Sequence, residues 1–251
     1  MTLSTAAVGA YVILVGGVVL WSPLFLLRHK LSEQVLQAIS LFGGAFLLAS
    51  CFINLVPHMY LHGAETPLGF KIGVMVMAGF LLQLLIERLT HGAEHCHSSS
   101  SQSPDVNKVS LTGLMAGLCI HSFIEGMPLV DTGGDVHQGL LWGIVLHNIP
   151  IACILIGLML DRHLSLIQSL LILLLFAVMA PLGSLTALCT LSTSETAMEL
   201  LMGVVVGILL HIAVGILFSG DHHRITWAQL LLILIATAAA YLVPGCAELY
   251  G

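Results

Sequence analysis

Eight apolar stretches, each about 20 residues long, recur along the chain with hardly a charge inside them. A helix rising 1.5 Å per residue needs about 20 residues to cross the hydrocarbon of a bilayer, and only such a span leaves no backbone group unsatisfied in lipid. Composition agrees: charged residues are 8% of the 251, against about 25% in ordinary soluble domains, and mean hydropathy is +1.04. The expected fold is all-α and integral to the membrane, one domain over residues 1–251, with the lipid bilayer as its main partner. The chain carries no basic stripe, which excludes nucleic acid. The first stretch lacks a basic leader region and a clear small-residue cleavage site, so it reads as a retained span. Cys51, Cys119, Cys153 and Cys189 lie inside apolar runs and read as small buried residues, not as a disulfide framework. No phosphate-binding loop of the form G-x-x-x-x-G-K-[ST] is present, so ATP does not drive the protein directly.

The spans fall at about 5–27, 36–58, 69–89, 109–130, 138–160, 165–190, 197–219 and 226–245. Six of the seven basic residues, Arg28, Lys30, Arg88, Lys108, Arg162 and Arg224, lie in loops on one side; Lys71 is opposite. The positive-inside rule makes that side cytoplasmic and puts both termini outside, in a cell or inner membrane. Between spans three and four runs a polar linker, 91–107, with His91, His95, Cys96 and His97 followed by a serine tract. It is expected to be cytoplasmic and mobile, either gathering metal or simply solvated.

Polar groups inside the apolar runs are the functional signal, because ionisable residues at that depth are costly. Span four contains His121-Ser122-Phe123-Ile124-Glu125-Gly126, and span five contains His147-Asn148-Ile149-Pro150. His121 and Glu125 are four apart and share a helix face. His121 lies about 12 residues, roughly 18 Å, along a span entered from the cytoplasm; His147 lies about 9 residues, roughly 14 Å, along one entered from outside. Both are expected near the midplane, and His211 on span seven at similar depth. Pro150 and Pro128 are expected to free the carbonyls of Leu146 and Ile124, which suits a cavity lining. Two imidazoles and a carboxylate make a site of borderline softness, suited to Zn²⁺ and also to Fe²⁺ or Mn²⁺. The bland alternatives are a buried His–Glu pair that ties helices together, and an interhelical hydrogen bond at His211. Asn54 and His58, four apart toward the outer end of span two, read as a pore entrance or a helix cap. Glu87, beside Arg88, reads as interfacial.

This pattern resembles the ZIP (Zrt/Irt-like) metal transporters in its eight spans, its His121…Glu125-Gly126 and its His147-Asn148-Ile149-Pro150; the His-containing linker and Asn54…Pro57-His58 fit as well. The resemblance implies a 3+2+3 arrangement, spans one to three and six to eight forming inverted repeats around four and five. It implies inward transport of divalent metal, zinc foremost with iron, manganese or cadmium as alternatives, bound by His121, Glu125 and His147. A homodimer is compatible with it. Many family members bind two metals, using an Asn after the span-four His, acidic or His residues in span five and a Glu before the span-six Pro. Here Ser122, Asn148, Ile151 and Ala180 stand at those places. A lone Glu125 supplies too little charge for two close divalent ions in a dry site. One transported ion is expected, with Ser122 and Asn148 as auxiliary ligands or as partners of the ligands. The rival reading is an intramembrane zinc hydrolase with His121, His147 and His211 around a catalytic water and Glu125 as base, although no HExxH helix is present.

Overall fold

The computed structural model describes residues 5–28, 33–63, 67–89, 111–131, 135–191, 194–218 and 226–243, and of 19–28, 33, 61–63 and 67 the backbone alone. The linker 91–107 lies outside the described residues. Helices run Thr5–Arg28 (α1), Glu33–Ser50 (α2), Val56–Gly63 (α3), Pro67–Leu89 (α4), Leu111–Gly126 (α5), Gln138–Asp161 (α6), Leu166–Leu191 (α7), Glu195–Phe218 (α8) and Trp227–Leu242 (α9), with a π-helical turn, Cys51–Leu55, joining α2 to α3. Among the described residues there is no β-strand, only an isolated bridge between Val130 and Val136.

Five stretches are long and apolar enough to cross a membrane: Gln34–Tyr60, Leu68–Leu89, Gln138–Asp161, Leu166–Leu191 and Glu195–Phe218. Three shorter apolar helices, Thr5–Val18, Leu111–Gly126 and Trp227–Leu242, lie where the other three spans are expected. Span four ends earlier than its hydropathy suggests. The chain turns after Gly126, where Met127 N–H donates to the Ile124 carbonyl at 3.1 Å. Pro128 therefore lies beyond the helix and frees no carbonyl at Ile124, contrary to expectation. The π turn has a local cause: Pro57 cannot donate an amide hydrogen, and just before it Val56 N–H reaches back to the Cys51 carbonyl.

The helices sort into two groups. α1 packs on α6 and α5 on α7, around Val18, Leu118, Ile156, Met159, Leu173 and Phe176. α4 packs on α8, and α2 on α9 and α8. The main seam between the groups runs along α2 and α6, where Gly43 lies against the backbone of Leu146 and His147. α5 and α7 touch backbone to backbone: a Cβ on Gly126 would collide with the Ala180 carbonyl, and one on Gly183 with the Phe123 carbonyl. Close approach of this kind is how helices gain contact area when lipid supplies no hydrophobic drive between them.

The four cysteines within the apolar helices are free, but not all buried: Cys51 and Cys153 are, whereas Cys119 is half-buried and Cys189 exposed. On a helix facing lipid an exposed thiol is as acceptable as any small apolar group, which is why the expectation of burial failed there.

Candidate metal centre

α5 and α6 bring His121, Glu125 and His147 together in the dry interior. All three are at most 1% exposed. His121 Nε2 lies 2.9 Å from Glu125 Oε1, one helical turn on, and His147 Nε2 lies 3.3 Å from the same oxygen. The two imidazoles stand edge to face with centroids 6.0 Å apart. One ligand atom from each residue falls within 4.8 Å of the other two. Ligand atoms about 2 Å from a tetrahedral ion are roughly 3.3 Å from each other, so the cluster fits a divalent cation with small adjustments.

His147 has a fixed tautomer. Its Nδ1 lies 2.8 Å from the Gly143 carbonyl, and a carbonyl can only accept, so Nδ1 carries the hydrogen. The Nε2 lone pair then faces a carboxylate oxygen. Two acceptors at that separation repel unless a cation, a proton or a metal ion, lies between them. Glu125 Oε2 and Asn148 Oδ1 are also buried and accept no hydrogen bond among the described residues. An unpaired buried acceptor is costly, so the free oxygens of Glu125 suit a cation bound between it and the two imidazoles.

Ser122, equally buried, makes a long hydrogen bond of 3.5 Å to the Phe176 carbonyl, tying α5 to α7. Asn54 lies in the π turn and donates to the Ala240 carbonyl at 3.2 Å and to Ser50 Oγ at 3.4 Å, while Ser50 Oγ donates to the Gly139 carbonyl. His58 stacks edge to face on His137, centroids 4.8 Å apart. His211 stands apart from the cluster: its Nε2 is 2.9 Å from Glu87 Oε2, and Phe80 lies against its ring. It sits 16 residues, roughly 24 Å, along α8 from Glu195, beside the end of α4 where Glu87 lies. His211 is thus not among the gathered ligands, and the hydrolase reading has no third histidine at the cluster among the described residues. Glu87, expected to be interfacial, is half-buried in this pair. His91, His95, Cys96 and His97 lie outside the described residues.

Sequence reasoning missed His137, which reads as loop because it directly precedes an apolar run. It also missed the Gly143 carbonyl that orients His147; a Gly four residues before a buried His was the available signal.

A family model described as ZIP zinc transporter matches residues 90–243, which contain the whole His121–Glu125–His147 cluster. The chain belongs to the ZIP family. It is therefore an integral membrane protein of a class that carries divalent metal ions and performs no chemistry on them. No curated protein matches the chain.

Proposed function

We propose that this ZIP protein carries zinc into the cytoplasm, one ion at a time, through a midplane site formed by His121, Glu125 and His147. The observation that carries this reading is the convergence of two imidazole Nε2 atoms on one buried carboxylate oxygen. Nitrogen with a single oxygen favours zinc over magnesium or calcium, while iron, manganese and cadmium are competitors of similar coordination. We assign Asn148, whose buried Oδ1 accepts no hydrogen bond among the described residues, as an auxiliary ligand, and Ser122 as the residue that ties α5 to α7. One carboxylate leaves the site a single negative charge, in keeping with one ion.

Eight spans in a 3+2+3 order are supported by the packing pattern. Exchanging α1 with α7, α5 with α6, α2 with α8 and α4 with α9 turns the α1–α6 pair into α7–α5, and α4–α8 into α9–α2. All four are extensive contacts. Such exchange is the mark of inverted repeats. The whole chain then acts as one transport domain, with termini outside and the 91–107 linker gathering released metal in the cytoplasm. Inward movement of a divalent ion gains about 4.6 kcal/mol per 100 mV of inside-negative potential, enough without further coupling.

The test is uptake by protein reconstituted in liposomes with a set potential and a panel of competing metals. Zinc should accumulate on the side of the linker and be competed by cadmium but not by magnesium. Equal uptake with the potential reversed, or magnesium competing as well as cadmium, would contradict the proposal.

A further inference from the structure

We infer that His58 and His137 form a second, outer metal station, which takes a divalent cation of borderline softness such as zinc, cobalt or nickel ahead of the midplane site. The two residues come from different elements. His58 lies on α3, one turn after Asn54, and His137 is the residue preceding the first turn of α6. Their rings stand at 83° with centroids 4.8 Å apart. Two imidazoles on one tetrahedral ion, each at a Zn–N distance of about 2.0–2.1 Å, hold their centroids about 5 Å apart. The separation of the two rings is therefore that of two imidazoles on one ion.

His137 is held from both sides. Its N–H donates to the Leu129 carbonyl at 3.0 Å and its own carbonyl accepts from Leu141 N–H at 2.9 Å. The connection before it is pinned by Asp131 N–H to the Asp135 carbonyl at 2.9 Å and by Asp135 N–H to Asp131 Oδ1 at 2.8 Å. Both imidazoles are half-buried, open enough for water to complete a coordination shell. His147 lies ten residues further along the same helix, roughly 15 Å deeper. The two aspartates place negative charge at the mouth, which attracts cations without choosing among them; the imidazole pair adds the choice, since nitrogen discriminates against magnesium and calcium.

The role of this station as a point of entry rests on the inward direction proposed above, whereas its metal binding can be read without any transport. The experiment is zinc protection of histidines against carbethoxylation in the full chain in detergent, quantified residue by residue by mass spectrometry. Zinc should protect His58 and His137, and magnesium at the same concentration should not. His137→Ala should raise the zinc concentration for half-protection of His58 by about tenfold or more, and His58→Ala should do the same for His137. Protection of His58 that survives His137→Ala unchanged would reduce the pair to ring packing and overturn the inference. So would protection that disappears with Glu125→Gln, because the effect would then originate at the midplane. If the midplane reading itself failed, mutual protection of these two histidines would still be observed.

Discussion

His147 gives its Nδ1 hydrogen to the Gly143 carbonyl at 2.8 Å, which leaves Nε2 facing Glu125, 3.3 Å away. The orienting partner is backbone, so no side-chain substitution in that turn removes it. The gap between Nε2 and the carboxylate is tolerable only with a cation in it. A metal ion that takes this gap displaces any proton held there.

Zinc binding should therefore release about one proton per ion. The sign follows: protons compete for the same gap, so apparent zinc affinity should rise with pH. Titration calorimetry in buffers of different ionisation enthalpy measures the release directly. Affinity that is independent of pH, with no proton released, would mean that the gap is not where zinc binds.

His147→Ala should reduce zinc binding in detergent by at least about tenfold, since one of three ligands is lost. His211→Ala should leave zinc binding near the wild-type level, because its imidazole is paired with Glu87 and lies outside the cluster. Its expected effect is a modest loss of stability, about 1 kcal/mol for a half-buried imidazole–carboxylate pair partly screened by water. Equilibrium dialysis separates the two variants; equal loss of bound zinc would put His211 back into the site.

Gly183→Val should lower the unfolding transition markedly. Even the Cβ would meet the Phe123 carbonyl, and overpacking of this kind costs about 1–3 kcal/mol or more. Because Phe123 stands between His121 and Glu125, zinc affinity should fall as well. Thermal unfolding in detergent with and without zinc reads both effects. Wild-type stability and zinc affinity would show that α5 and α7 are not held at backbone contact.

The chain's membrane class and the His121–Glu125–His147 cluster were both legible in the sequence, for a common reason. Lipid and metal each impose severe rules, so apolar run length and i, i+4 spacing carry real information. What was not legible depended on pairing between distant elements. His211 was placed by counting residues, but its partner Glu87 could be found only from the α4–α8 contact. His137 and His58 are about 80 residues apart, and nothing in either neighbourhood announces the other. The π turn also escaped, since hydropathy cannot register one additional residue in a helical turn. Pro128 misled because proline looks the same whether it kinks a helix or follows one.

Ile151 lies one turn along from His147, half-buried against the core of the α1, α5, α6 and α7 group. Placing carboxylates there and beside it, Ile151→Glu with Asn148→Asp, should add two negative charges next to the ion. If the native site takes one ion for want of charge, the double variant should hold about two per chain by equilibrium dialysis and release more protons on binding. Transport should slow, because tighter binding hinders release. A folded double variant that still binds one zinc ion would count against charge as the limit.

Glu125 Oε1 is the one oxygen that both imidazoles approach. Glu125→Gln keeps the side chain's shape and removes its charge, so folding can be matched to wild type by the unfolding transition in detergent. The decisive measurement is the initial rate of zinc uptake by this variant in liposomes under an inside-negative potential. The predicted result is uptake indistinguishable from protein-free liposomes. Uptake at near wild-type rate by the folded variant would show that zinc does not pass through this site.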